Sequence, residues 1–479
     1  MPIRIRRRAR ASLGSRASKG HARPDDRLAI IDHALFAQHR AIGRSVVVQV
    51  VWVYEHAIDF DGVRLFNHNL RYGLLGRRIE RSPISARHRW VLDQGPVDID
   101  IAACARPRAE LTDWADERAQ LPIDVERGPG WNIGVLPLTD GSTAVSLVVS
   151  HYLIDGFGLT LAIAEAVLRP YARDLGYPPP RSRTRLRAVV QDARQTAQDA
   201  PEVARALVAG AKLARRQRRD IAQSPVPRPV AVGGGDGDEA AVVPVITIHI
   251  DVDAWDARAK ALGGTGDTLV AGLAAKFGER LGRRRASDGA VTLQLPMSER
   301  DQDDTRAVAV SFARVSVDPT RVTTDLRDAR AAIKEALTTL RETPDEDERQ
   351  LAWLAPFAPK WALKRLADGV IIDPDLPVFC SNLRALDPIV YALAGTDAEY
   401  ATVSANLYPL HLIRVIGQDV TRQWLERAGG QLTLQSWRIG DKIGITLEAY
   451  QPGAENTKPA LRELAARTLA EFDLTGEID

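Results

Sequence analysis

Apolar positions along the chain alternate between short β-branched runs and stretches with three- and four-residue spacing. The run SVVVQVVWVY at 45–54 predicts a strand, and Val63, Phe66 and Leu70 recur at helical spacing just after it. Trp90–Leu92 and Trp131–Pro137 are short and strand-like, and AVSLVVS at 144–150 has the character of a central strand. A turn at Asp155 and Gly156 follows, and from Phe157 the segment GLTLAIAEAVL reads as a helix. A second series starts after Ala241. VVPVITIHIDV predicts a strand, TLVAGLAAKFGERLG a helix, VTLQLPMSERD a strand running into a loop, and VAVSFARVSV another strand. A long helix is expected over Thr324–Arg341. Strands are expected near Pro377–Asn382, Leu410–Val415, Gln431–Trp437 and Lys442–Ala449, and a last helix from Lys458. Strands and helices interleave in both halves, which predicts an α/β (α+β) chain of two lobes, each a mixed sheet with helices.

Punctuation divides the chain into four parts. Residues 1–27 form a basic tail with no acid before Asp25, and 28–168 form a first lobe. Residues 169–240 begin with YARDLGYPPPRSRTR and end with SPVPRPVAVGGGDGDEA, so both ends read as linkers around a basic helix. Residues 241–479 form the second lobe. Tail and linker have two readings: solvated polar segments, or weak anchors to an anionic membrane surface through their arginines and Leu207, Val208 and Leu213.

Length and composition narrow the functions. A chain of 479 residues exceeds one ordinary core of roughly 100–200 residues. Its net charge of +2 argues against a nucleic-acid binder. Two cysteines, Cys104 and Cys380, exclude a disulfide scaffold, and the nine histidines show no H-x-x-x-H pair, so no metal is expected. No apolar stretch reaches the roughly 20 residues of a spanning helix, and the arginines of the amino terminus precede no apolar secretory core. A cytoplasmic protein is expected, with attachment to the inner face of the plasma membrane as the alternative. Gly263-Gly264-Thr265-Gly266 lacks the spacing of a phosphate loop. Leu351–Leu366 places Trp353, Phe357 and Trp361 four apart, which reads as helix packing or as an apolar lid.

The sharpest chemistry lies in Ser150-His151-Tyr152-Leu153-Ile154-Asp155-Gly156, an H-x-x-x-D-G between a strand and a helix. A histidine at the open end of a buried strand can keep one ring nitrogen free and take a proton from an attacking hydroxyl or amine. Asp155 could fix the loop through an ion pair, and Gly156 permits a tight turn with open space beside it. The plain alternative is a structural histidine followed by an ordinary helix cap.

SHYLIDGFG resembles the active-site motif of the acyltransferase superfamily that includes chloramphenicol acetyltransferase, peptide-synthetase condensation domains, polyketide-associated acyltransferases and bacterial wax ester synthase/diacylglycerol acyltransferases. LPMSERD at 295–301 resembles the segment whose arginine pairs with the motif aspartate, which implies Arg300 with Asp155. CSNLRALDPIVYALAG at 380–395 and GTGDTLVAGLAA at 264–275 resemble segments of the wax ester synthase branch, with Asp267 kept and Gly266 where asparagine is common. Departures are Ser150 in place of a first histidine, the absence of D-F-G-W-G, and Arg384, Ala385 and Leu386 in place of glycines and prolines.

The resemblance implies two chloramphenicol-acetyltransferase-like lobes with the active-site channel between them. It implies His151 as general base in a ternary complex, an acyl thioester donor on coenzyme A or an acyl carrier protein, and no cofactor. It implies a hydroxylated lipid or glycolipid acceptor, Asp155 and Arg300 as an architectural pair, and Ser381 or Asn382 as oxyanion or substrate contacts. The competing expectations are condensation-type transfer from a carrier protein and a non-catalytic scaffold of the same fold.

Overall fold

The computed structural model describes residues 25–95, 97–168, 175–223, 239–301, 304–342, 346–364, 373–386 and 410–479. Its first half contains α1 (Ile30–Ile42), β1 (Ser45–Tyr54), α2 (Phe60–Leu70), β2 (Arg77–Glu80), β3 (Arg89–Leu92), β4 (Ile99–Ile101), α3 (Leu111–Ala119), β5 (Trp131–Pro137), β6 (Thr143–Ser150) and α4 (Gly156–Val167). The long α5 (Arg185–Gln223) leads to β7 (Val245–Asp251), α6 (Val252–Ala261), α7 (Gly266–Arg280), β8 (Val291–Ser298), β9 (Val310–Val317), α8 (Arg327–Glu342) and α9 (Glu346–Ala352). The chain finishes with β10 (Val378–Ala385), β11 (Leu410–Gln418), α10 (Arg422–Arg427), β12 (Gln431–Ile439), β13 (Lys442–Tyr450), α11 (Lys458–Glu471) and β14 (Glu477–Ile478).

Two sheets carry the architecture, and the expected two-lobed α/β fold is what the molecule adopts. The first sheet runs β11-β1-β6-β5-β4 and the second β14-β7-β13-β12-β10-β8-β9. β1 is buried from Val47 to Tyr54 and β6 along its whole length, because both have paired neighbours on each side and packed elements on both faces. That burial explains their unbroken apolar sequences. The two strands are antiparallel, with Val47 opposite Ser150 and Tyr54 opposite Thr143. β11 pairs with β1 from Ser45–Gln418 onward, so a strand from the 241–479 segment completes the first sheet. Arg414 on β11 is fully buried there; its Nε donates to Gln49 Oε1 at 2.8 Å and it pairs with Asp116 at 2.7 Å. In the second sheet β10 runs parallel to both β8 and β12, with α7 packed against it.

The basic stretch forms one helix, α5, that contains Pro201. It is fastened to the first half of the chain: Asp192 is buried against Arg183 at 2.6 Å and accepts from Ser82 Oγ at 2.6 Å, and Arg87 pairs with Asp199 at 3.0 Å. Leu186, Val190, Leu207 and Val208 remain exposed on it, whereas the side chain of Leu213 lies outside the described residues. Helical packing of Leu351–Leu366 does not continue through the segment. α9 stops at Ala352, a 3-10 turn covers Ala355–Phe357 around Pro356, and Trp353 sits beneath the Arg87 guanidinium instead. Among the described residues no helix is long and apolar enough to cross a membrane. Of the tail expected over 1–27, only 25–27 fall within the described residues, and there Arg27 pairs with Asp25 at 2.7 Å.

Candidate active site at the end of the central strand

His151 is the first residue past β6, and its main-chain N–H extends the ladder by donating to Val46 O at 2.8 Å. The chain then turns, with Leu153 N donating to Ser150 O at 3.0 Å, and α4 begins at Gly156. Leu153 and Ile154 are fully buried in the first core, so the turn is clamped on both sides of the motif. His151 is intermediate in exposure as a whole residue, and its ring sits in a deep environment. Burial pushes its pKa below the usual histidine value; the Asp155 charge and a hydrogen bond to its own backbone pull upward, and Arg300 pushes down. A neutral imidazole has one protonated ring nitrogen and one with a free lone pair. A neutral imidazole with an open nitrogen is what a general base requires.

Asp155 does not touch the ring. It caps α4 by accepting from Gly158 N at 2.7 Å, and it holds Arg300 in a bidentate pair, Nε to Oδ1 at 3.1 Å and Nη2 to Oδ2 at 2.8 Å. Both side chains are buried, Arg300 at 0% exposure. The remaining Arg300 donors go to Asp304 O, Arg306 O and Ala307 O at 2.9–3.0 Å, and Ala309 N donates to Asp155 at 2.9 Å. Residues 304–309, between β8 and β9 of the second sheet, are thereby tied to the β6–α4 corner of the first.

Two residues that the sequence did not single out complete this tie. Asp32 on α1 accepts from Ala307 N at 2.8 Å and Val308 N at 2.9 Å. Burial pushes its carboxyl up to about 6 in spite of these bonds and the nearby Arg77 and Arg300 charges. Arg77 on β2 donates to Thr305 O at 2.5 Å and Leu153 O at 2.7 Å while its guanidinium stacks on Trp90 at 4.0 Å. Their partners are mostly main-chain carbonyls and N–H groups, which leave no mark in sequence.

The geometry also reassigns the glycines. Gly156 is not in the left-handed region, so its turn needs no glycine for backbone freedom; an added Cβ would meet only Leu383 Cδ2, at 3.6 Å. Gly158 is the residue without room, since its Cβ would lie 2.8 Å from Ile154 Cγ1 and 3.1 Å from the Arg300 guanidinium carbon. A glycine inside an apolar helix two positions after the D-G pair was the available signal. Gly158→Ala should therefore lose about 1–3 kcal/mol of stability in urea unfolding, whereas Gly156→Ala should stay within about 0.5 kcal/mol of the parent. Equal effects of the two changes would contradict the packing described.

Ser381 and Asn382 lie on β10, and the Leu383–Gly156 approach brings the end of that strand to the motif. Asn382 Nδ2 donates to Asp267 Oδ1 at 2.9 Å and its Oδ1 accepts from Arg384 N at 2.8 Å. The Ser-Asn segment and the first turn of α7 thus meet directly. Arg384 has φ +57°, a left-handed conformation on a strand whose pairing slips between Asn382 and Ala385. With Ala385 and Leu386 it stands where the resembling sequences have glycines and prolines, and the arginine carries the strain. Arg384→Gly should raise stability by about 1 kcal/mol, because the ion pair it gives up with Asp267, at 3.5 Å, is exposed. An unchanged or lower urea midpoint would contradict this. Residues 387–395 of the same resembling segment lie outside the described residues.

Behind the motif, Ser150 is buried and its Oγ accepts from Tyr152 N at 3.3 Å. Tyr152 turns to α1, where its hydroxyl lies 2.6 Å from His39 Nδ1. Burial, with the nearby His151 and Arg44, pushes His39 down to about 4. Cys380 is buried and its thiol is pushed up to about 12, which leaves no nucleophile there. Among the described residues no group of three or more metal-ligating side chains converges.

No protein-family model matches the sequence, and no curated protein matches it. Solved structures do. The first condensation domain of the calcium-dependent antibiotic synthetase, in complex with a substrate analogue, superposes with a TM-score of 0.56 at 16% identity, covering 93% of this chain and 96% of that one. A second structure of that domain gives 0.54 at 14% identity, with 94% and 98% covered. The similarity spans both lobes and is one of fold: this chain has the two-lobed architecture of those condensation domains.

Proposed function

We propose that the protein is an acyltransferase that moves an acyl group from a thioester to a hydroxyl or amine, with His151 as general base. The observation that carries this reading is the deeply set imidazole at the end of β6, kept neutral by burial and placed beside a buried ion pair that joins the sheets. In the step proposed, His151 Nε2 takes the acceptor's proton as its oxygen or nitrogen attacks the thioester carbonyl. Collapse of the tetrahedral oxyanion breaks the C–S bond, and the departing thiolate receives the proton. The oxyanion needs donors. Ser381 Oγ and the second amide hydrogen of Asn382 are the candidates, Asp155 and Arg300 being occupied by each other.

Donor and acceptor have two readings. Carrier-protein delivery is favoured by the fold, since the similar structures are of a condensation domain of an antibiotic synthetase. Transfer from acyl-coenzyme A to a hydroxylated lipid is favoured by the resemblance of the 264–275 and 380–395 segments to wax ester synthases, and by the exposed Leu186, Val190, Leu207 and Val208 among the arginines of α5. Those residues would supply contact with an anionic membrane. Free-thiol release is the deciding measurement, with acyl-coenzyme A and acylated carrier protein as donors and long-chain alcohols, diacylglycerol and amines as acceptors. Acceptor-dependent release that disappears in His151→Ala supports the reading. Silence with every donor, or release unaffected by the substitution, overturns it. Salt-sensitive binding to anionic vesicles would support the lipid acceptor, and no binding would remove the membrane from the account.

A further inference from the structure

α1 presents one face to the motif. Asp32, Phe36 and His39 follow one another at four- and three-residue spacing, so they line a single side of the helix. Asp32, near its start, holds Ala307 N and Val308 N of the loop that comes from the second sheet. His39, about 10 Å further along at helical rise, reaches the residue that follows the candidate base. Between them Phe36 meets the Tyr152 ring edge-on, with centroids 5.8 Å apart.

Tyr152 is held at both its main chain and its hydroxyl. Its N–H donates to Ser150 Oγ at 3.3 Å, its ring packs on Phe36 and His39, and its hydroxyl lies 2.6 Å from His39 Nδ1. The direction of that bond follows from the alternatives. The hydroxyl's other acceptor, Arg44 O, is 3.4 Å away, beyond the range of roughly 2.5–3.0 Å usual for an O–H···O bond. Burial pushes the Tyr152 phenol up, so it keeps its proton, and pushes His39 down to about 4, so that imidazole is neutral. The hydroxyl therefore donates to His39 Nδ1, and His39 carries its own proton on Nε2. Swinging the Tyr152 ring away would leave both groups unpaired in a buried place, which is costly. His151 thus sits between two anchors: its own N–H on Val46 O at 2.8 Å, and the side chain of the next residue on α1.

We infer that His39 and Tyr152 are positioning residues for His151: the Tyr152 hydroxyl, bound to His39 Nδ1, locks the turn after β6 onto α1 and sets where the imidazole points. This rests on the acyltransferase reading; His39 and Tyr152 act through His151 and not on the reacting atoms. Because Asp32 belongs to the same helix, the loop that ties the two sheets and the residue beside the base share one support.

Free-thiol release and histidine ring NMR, both on the full chain, form the test. Tyr152→Phe and His39→Leu should each lower kcat about tenfold and leave KM for donor and acceptor within about twofold of the parent, the pattern of a displaced base with substrate still bound. The combined variant should be no worse than the poorer single one, since the same bond is lost in all three. His39→Asn should keep at least about half of the parental kcat, because its Oδ1 can replace Nδ1 as acceptor. Circular dichroism establishes that each variant is folded. With isotope-labelled histidine, the parent should show His39 as the Nε2–H tautomer. The His151 ring signals, identified by their loss in His151→Ala, should shift or broaden in Tyr152→Phe while those of His249 and His411 hold still. Parental kcat in folded Tyr152→Phe overturns the proposal, as does a combined loss equal to the product of the two single ones. An unchanged His151 ring in Tyr152→Phe, or a His39 protonated on Nδ1, overturns it whatever the rates show. A parent without acyl transfer removes the function proposed above, and the ring signals then decide the positioning by themselves.

Discussion

Replacing Arg300 with methionine is expected to lower the free energy of unfolding by about 3–5 kcal/mol and to release residues 304–309 from the motif. The magnitude follows from what is left behind: Asp155 would remain as a buried carboxylate with two N–H partners and no counter-charge, and three main-chain carbonyls would lose their donor. Asp155→Asn should be nearly as harmful for the converse reason, since Arg300 would keep its charge at 0% exposure. The double variant should recover at least 1 kcal/mol relative to the sum, because it leaves no unpaired charge. Urea unfolding followed at two wavelengths measures these values and tests whether the two lobes unfold together. Trypsin offers a second readout. Arg306 is partly exposed but sits in a loop whose backbone is held by Asp32, Arg300 and Arg77. Cleavage after Arg306 should accelerate in either single variant. Parental resistance in both would mean that the pair is not what holds the loop.

How much of this could be read from sequence depended on where the partners are. β1, β6 and α4 were legible because burial on both faces imposes long apolar runs, and the H-x-x-x-D-G motif is local. The pairing of β11 with β1 was not, since the register Ser45–Gln418 joins residues more than 360 positions apart, and Arg414 in the middle of β11 reads as a surface residue until Gln49 and Asp116 are placed beside it. The Asp155–Arg300 meeting followed from family resemblance, not from periodicity. Asp32 and Arg77 were invisible for a different reason: they bind chiefly main-chain groups, and any sequence at 304–309 offers those. Gly156 was expected to serve a tight turn with open space beside it; the turn needs no left-handed residue there, and the glycine that lacks room for a Cβ is Gly158, against Ile154 and the Arg300 guanidinium.

His151→Ala should reduce kcat/KM by about 10²–10⁴-fold, equivalent to about 2.7–5.5 kcal/mol of transition-state stabilisation, with little change in the unfolding midpoint. The pH dependence is the sharper test of the role. Burial holds the His151 pKa below its ordinary value near 6.5, so the ring is already neutral at pH 7. Activity should therefore be level from pH 7 to 8 and fall only as pH drops below about 6.5, as the base acquires a proton. Asp155 pulls the ring's pKa up and Arg300 pushes it down. In Asp155→Asn the upward pull is lost and the Arg300 charge is unopposed, so the acid limb of whatever activity remains should move to still lower pH. The same ring contributes to stability with the matching sign: an unfolded histidine protonates below about 6.5 while the folded one stays neutral, so stability is lost as pH falls through that window. A residual rate in His151→Ala that keeps the parental acid limb would assign the titration to another group and deny His151 the role of base. A limb that vanishes with the imidazole, and shifts downward when only its neighbour's charge is removed, has no explanation in a histidine that merely packs.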